Sequence, residues 1–88
     1  MQRKIAETLA LKGLTWLAGD PRLLLRFLDA SGLEADDLRE RADEPGLLAA
    51  VLDFLLLEDA TLGQFCPAEN IEPLTMHQAR RLLPGGEV

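Results

Sequence analysis

Eighty-eight residues suffice for one domain, because a chain this short withdraws only about 60–65% of its extended surface from water on folding. The composition, 48% hydrophobic and 27% charged, is that of a globular protein and excludes an intrinsically disordered one. Nine Lys and Arg against fifteen Asp and Glu leave a net charge of −6, which disfavours a phosphate backbone or an anionic membrane as partner.

The first predicted helix runs from Arg3 to Leu17. At about 100° per residue, Ile5, Ala6, Leu9, Gly13, Trp16 and Leu17 fill one arc, opposite Lys4, Glu7, Thr8, Lys12 and Thr15. Gly13 in a helix interior costs about 1 kcal/mol against alanine, so it marks a place where another helix comes close. Asp20-Pro21 starts the second helix, with the carboxylate as cap and proline at the first position, where its missing N–H is not needed. Leu23, Leu24, Phe27 and Leu28 form its apolar side, and Ser31-Gly32 ends it. A short third helix covers Ala35 to Ala42, anchored by Leu38.

Glu44-Pro45 repeats the acidic-then-proline start and opens a helix over Leu47 to Leu57. Leu47, Leu48, Val51, Leu52 and Leu55 share a face, and Phe54, Leu56 and Leu57 extend the apolar surface around the cylinder, so this helix is expected at the centre. Ala60 to Cys66 follow as a short segment interrupted by Pro67, with a turn at Asn70. Thr75 and Gln78 read as a capping box with Leu74 and Ala79 as its hydrophobic staple, and Pro73 offers an alternative start. Met76, Ala79, Leu82 and Leu83 pack, and Pro84-Gly85-Gly86 stops the last helix. With two valines, two isoleucines and four threonines, a sheet has little material. The fold expected is all-α, a compact orthogonal bundle of five to six short helices around Leu47 to Leu57, one domain over 1–88 with 84–88 as a flexible tail.

The inventory of reactive side chains is small. Cys66 is the only cysteine and His77 the only histidine, so neither a disulfide nor a multi-histidine or Cys/His metal site can form within the chain. The N-terminal stretch is too broken by charge for a secretory signal, and the apolar runs fall far short of the roughly 20 residues that span a bilayer. The expectation is a cytoplasmic protein with no membrane segment, no metal, no cofactor and no catalytic set.

Charge, in contrast, is strongly segregated. Met1 to Leu28 carry five bases and two acids, whereas Asp29 to Asp59 carry ten acids and two arginines. Glu34, Asp36, Asp37, Glu40, Asp43 and Glu44 are the candidate interaction face for a basic protein partner, because complementary charge speeds and orients encounter. The bland alternative is that these acids stabilise a helix start and keep the domain dispersed. The surplus Leu11, Leu25, Leu56 and Leu57 suggest a homodimer. A small-molecule or enzymatic pocket near Cys66 and His77 is the competing class. A nucleic-acid accessory role through Arg3, Lys4, Arg80 and Arg81 is disfavoured. It lacks stacking aromatics, and the helix after Gly32 that would read a groove is acidic.

Asp20-Pro21, Arg26-Phe27-Leu28, Ser31-Gly32-Leu33, Asp37-Leu38-Arg39, Leu52-Asp53-Phe54-Leu55, Phe65-Cys66, Ala79-Arg80 and Leu83-Pro84-Gly85-Gly86 occur in this order over nearly the whole chain. In this combination the sequence resembles a small alphaproteobacterial family of helical proteins known as domain of unknown function 3572. The resemblance implies a standalone bacterial helical bundle and brings no activity, cofactor or catalytic residue. Asp37, Arg39, Asp53, Cys66 and Arg80 are accordingly expected in capping, ion pairing and packing.

Overall fold

Six helices follow one another without an intervening strand in the computed structural model, which describes residues 1–84. They are α1 (Arg3–Ala18), α2 (Pro21–Ser31), α3 (Ala35–Glu40), α4 (Pro45–Leu57), α5 (Asp59–Glu69) and α6 (Pro73–Arg81). The all-α bundle is therefore as the sequence indicates, and it measures 30 × 24 × 21 Å. Part of the expected tail, residues 85–88, lies outside the described residues.

The expected capping at Asp20 is present. Its carboxylate accepts the N–H groups of Arg22 at 3.0 Å and Leu23 at 3.3 Å, and Pro21 takes the first helical position. Gly32 ends α2 at φ 75°, a left-handed geometry in which its N–H reaches the Leu28 carbonyl. α3 is shorter than Ala35 to Ala42, stopping at Glu40, and buries none of its residues fully. The half-buried Leu33 and Leu38 tie this arm to the core.

The packing centre is α4, which lies against α1, α2, α5 and α6. Leu47, Leu48, Val51, Leu52, Phe54 and Leu55 are all buried along it. The helix is not wholly enclosed, since Leu57 remains 71% exposed at its end. Its closest neighbour is α1: a Cβ added to Gly13 would stand 2.7 Å from Leu55 Cδ1 and 3.2 Å from Val51 Cγ1. The expected close approach at Gly13 is thus met, and Ala6, Leu9, Ala10, Gly13 and Leu17 are the buried residues of α1. Ile5, expected on the apolar arc, is 51% exposed, and Ala10 is buried in the core instead. Edge-to-face aromatic pairs secure both flanks, Trp16 with Phe65 at 5.4 Å and Phe27 with Phe54 at 5.5 Å between centroids.

Two expected helix boundaries shift for local reasons. Pro67 does not interrupt α5, which continues to Glu69, because the proline stands in the final turn, where a lost N–H bond ends nothing that Asn70 would not end three residues later. Asn70 adopts φ 54°. The Ile71 N–H then reaches the Cys66 carbonyl at 2.9 Å and the Asn70 N–H reaches Pro67 at 3.3 Å, the paired bonds of a Schellman motif. Asn70→Ala should accordingly lose about 1 kcal/mol while Asn70→Gly loses none, a contrast measurable by urea unfolding. The last helix starts at the alternative Pro73, with Glu72 as its cap residue. Thr75 therefore falls inside the first turn, Leu74 is exposed instead of stapled, and no capping box forms there. His77 stands in the second turn of α6 and faces solvent.

Candidate functional site

The six acids of the expected interaction face divide into two groups once the backbone is placed. Asp37 accepts the Glu34 N–H at 2.9 Å, which fastens the first turn of α3, and stands 3.5 Å from Arg41. Arg41 also donates from Nε to Glu44 at 2.9 Å, and its guanidinium is held above its ordinary pKa by the Glu44 hydrogen bond and charge, with Asp37 adding to both. Asp36 stands 3.9 Å from Arg39 one turn along α3. Glu34, Glu40 and Asp43 have no ion-pair partner among the described residues, and all three are exposed. Asp36, Asp37 and Glu44 are thus engaged by arginines, Glu34 shares the capping box of α3 with Asp37, and Glu40 and Asp43 leave their charge to solvent.

Cys66 is buried and His77 is exposed, and neither lines the depression between α2 and α4 or the one beside Met1 and Arg81. The thiol is buried, and burial pushes its pKa above the ordinary thiol value, so at neutral pH it is a protonated core atom instead of a nucleophile. His77 points into water. Among the described residues no group of three His, Cys, Asp or Glu is arranged to hold a metal ion. Buried side-chain nitrogen or oxygen atoms without a partner are likewise absent among them.

Arg80, expected in ion pairing, takes that role and not a place in the disfavoured basic patch with Arg3, Lys4 and Arg81. Its side chain is only 15% exposed and turns toward α4, where Nε meets Asp53 at 2.5 Å and the terminal nitrogen meets the second carboxylate oxygen at 3.1 Å. The same guanidinium donates to the carbonyls of Leu83 at 3.3 Å and Pro84 at 3.1 Å. A planar fork can satisfy a carboxylate and two carbonyls at once, which lysine cannot do. The Leu52-Asp53-Phe54-Leu55 and Ala79-Arg80 stretches, 27 residues apart in the chain, are therefore one structural unit that clamps α6 to α4. The chain belongs to the family described as Protein of unknown function (DUF3572), whose model matches residues 3–86. No curated protein and no solved structure matches it. Membership in DUF3572 thus fixes kinship without naming an activity, and the residues that carry the resemblance are here a helix cap at Asp20, a left-handed turn at Gly32, a buried thiol and the Asp53–Arg80 clamp.

One surface feature was invisible in the sequence. An open depression of about 220 Å³ lies between the end of α2 and the outer face of α4, lined by Ala30, Ser31, Ala50, Asp53, Phe54 and Leu57. Neither Cys66 nor His77 lines it. Arg26 of α2 pairs with Glu58, which follows Leu57 and joins α4 to α5. A second, more polar depression beside Met1, Gln78, Arg81 and Leu82 marks where the chain start meets α6. No helix among the described residues is long and apolar enough to cross a membrane.

Proposed function

We propose that this DUF3572 chain is a non-enzymatic, cytoplasmic bacterial interaction or adaptor domain that meets a basic protein surface through its acidic middle. The observation that carries this reading is the α3 arm and its flank, where Glu34, Glu40 and Asp43 expose charge that no arginine among the described residues pairs. Unpaired surface carboxylates do little for folding, and long-range attraction is what they supply. Asp36, Asp37 and Glu44 belong to the same face but are partly occupied by Arg39 and Arg41.

Affinity capture from the source bacterium with wild-type chain and with the Glu34→Gln, Glu40→Gln, Asp43→Asn triple variant tests the proposal. The same protein should be recovered by the wild type at low salt and lost by the variant, which leaves the Asp37 cap intact. Equal recovery by both overturns the acidic-face reading.

A homodimer is the second reading, favoured by Leu11 and Leu25, which remain exposed on the neighbouring helices α1 and α2. Sedimentation across a dilution series should then show a dimer that Leu25→Ser abolishes. A monomer at every concentration rejects it.

A further inference from the structure

The α3 arm is tied into the molecule differently from the other helices. α1, α2, α4, α5 and α6 each bury at least one side chain and pack against neighbouring helices, whereas α3 buries none and approaches no other helix by more than a marginal contact. Among the described residues, every hydrogen bond and ion pair made by residues 34–43 ends within residues 34–44. The capping box of Glu34 and Asp37 fastens the first turn, and Arg41 bridges Asp37 and Glu44 beyond the last. The arm therefore folds on itself. What fixes it to the rest of the molecule is the apolar contact of Leu33 and Leu38, both half-buried.

The two ends of this stretch leave it free to move as a piece. Gly32 stands at φ 75°, and nothing lies within 4 Å of where its Cβ would be, so no neighbour wedges the chain there. α2 is closed upstream of the arm, by the Gly32 N–H on the Leu28 carbonyl at 3.0 Å. At the other end Pro45 sets the first position of α4, and the Leu48 N–H reaches the Glu44 carbonyl at 3.1 Å. Both flanking helices thus keep their own terminal bonds whether or not α3 is docked.

The forces on the arm are unequal to those on the core. Two half-buried leucines hold about as much apolar surface out of water as one buried leucine, and exposed ion pairs add little. Six acids between Glu34 and Glu44, offset by Arg39 and Arg41 alone, repel one another in the closed form.

We propose that residues 33–44 form an arm that undocks as one cooperative unit, hinged at Gly32 and ahead of Pro45, while α1, α2, α4, α5 and α6 stay folded. The acids of the arm are then carried on the least stable part of the molecule, the part from which binding elements are drawn because it can be ordered or released without disturbing the core.

Native-state hydrogen exchange of the full chain across a urea series tests this. The hydrogen-bonded amides of Asp37, Arg41 and Glu44 should exchange through openings at least about 100-fold more populated than those of Leu52 and Leu55 in α4. Their urea dependence should be no more than about a third of that in α4, because undocking exposes little surface. Leu38→Ala, at a half-buried position outside the core, should speed the three arm amides together by about tenfold. Arm amides that share the urea dependence of α4 overturn the proposal, since the arm then opens only with the whole molecule. Arm amides that Leu38→Ala leaves unchanged, or moves by different factors, overturn it as well, since they then fray residue by residue. The acidic-face reading would survive either result, because partner capture by the exposed carboxylates does not require the arm to open.

Discussion

Gly13→Ala is expected to lower the thermal midpoint by about 4–8 °C, corresponding to a net loss of about 1 kcal/mol in a domain of this size. Helix propensity alone has the opposite sign, because alanine is favoured over glycine by about 1 kcal/mol in a helix interior. The added methyl, however, would stand 2.7 Å from Leu55 Cδ1 and 3.2 Å from Val51 Cγ1, and both of those side chains are fully buried. Val51 is stiff about its Cα–Cβ bond, and Leu55 is enclosed, so relief requires α1 to move off α4. Overpacking of this kind costs about 1–3 kcal/mol, which outweighs the propensity gain. Leu55→Ala removes the clashing group, so in that background Gly13→Ala should cost nothing or stabilise, a coupling that a double-mutant cycle reads directly. A raised midpoint for the single variant would place α1 further from α4 than described here.

Arg80→Met should cost about 2 kcal/mol, more than any other ion-pair deletion among the described residues. Methionine keeps the apolar stem but removes the two bonds to Asp53 and the donors to the carbonyls of Leu83 and Pro84. The magnitude falls below that of a fully buried pair because Asp53, half in solvent, rehydrates when its partner leaves. Asp53→Asn is the milder change, at about 1 kcal/mol, since the amide oxygen still accepts from the guanidinium. Arg39→Met, which deletes an ion pair exposed at both ends, should change stability by less than about 0.5 kcal/mol. Urea unfolding of the three variants checks the order, and equal effects for Arg39 and Arg80 would contradict the clamp.

The parts of the fold that were legible in the sequence are those governed by local chemistry. Asp20-Pro21 and Ser31-Gly32 delimit α2 by caps that involve only a few neighbouring residues, and the apolar density of Leu47 to Leu57 needs a surrounding bundle whatever its topology. Gly13 was legible for a related reason, as a residue too costly to keep in a helix without a neighbour to admit. Local chemistry also misled. Thr75 and Gln78 have capping-box spacing, but Pro73 already supplies a first helical position and the helix begins there. Pro67 reads as a breaker, yet a proline in the last turn of a helix closed by a left-handed Asn70 removes little.

The candidate site was legible only as composition. Six acids between Glu34 and Glu44 are visible in the sequence, but their division into paired and unpaired members depends on where Arg39 and Arg41 point. The depression was not legible at all, because it arises from the crossing of α2 and α4 and is bounded by residues as plain as Ala30 and Ala50. Arg80 is expected in ion pairing, but its partner is not legible for the same reason: only the packing of α6 on α4 brings it to Asp53.

If the acidic middle is the working surface, its unpaired carboxylates should act on the encounter with the partner more than on the lifetime of the complex. Stopped-flow association of the captured partner with wild-type chain and with the Glu34→Gln, Glu40→Gln, Asp43→Asn variant measures this directly across a salt series. The predicted result is an association rate about tenfold lower for the variant, a flatter salt dependence and an unchanged dissociation rate. An association rate and salt dependence indistinguishable from wild type would contradict it.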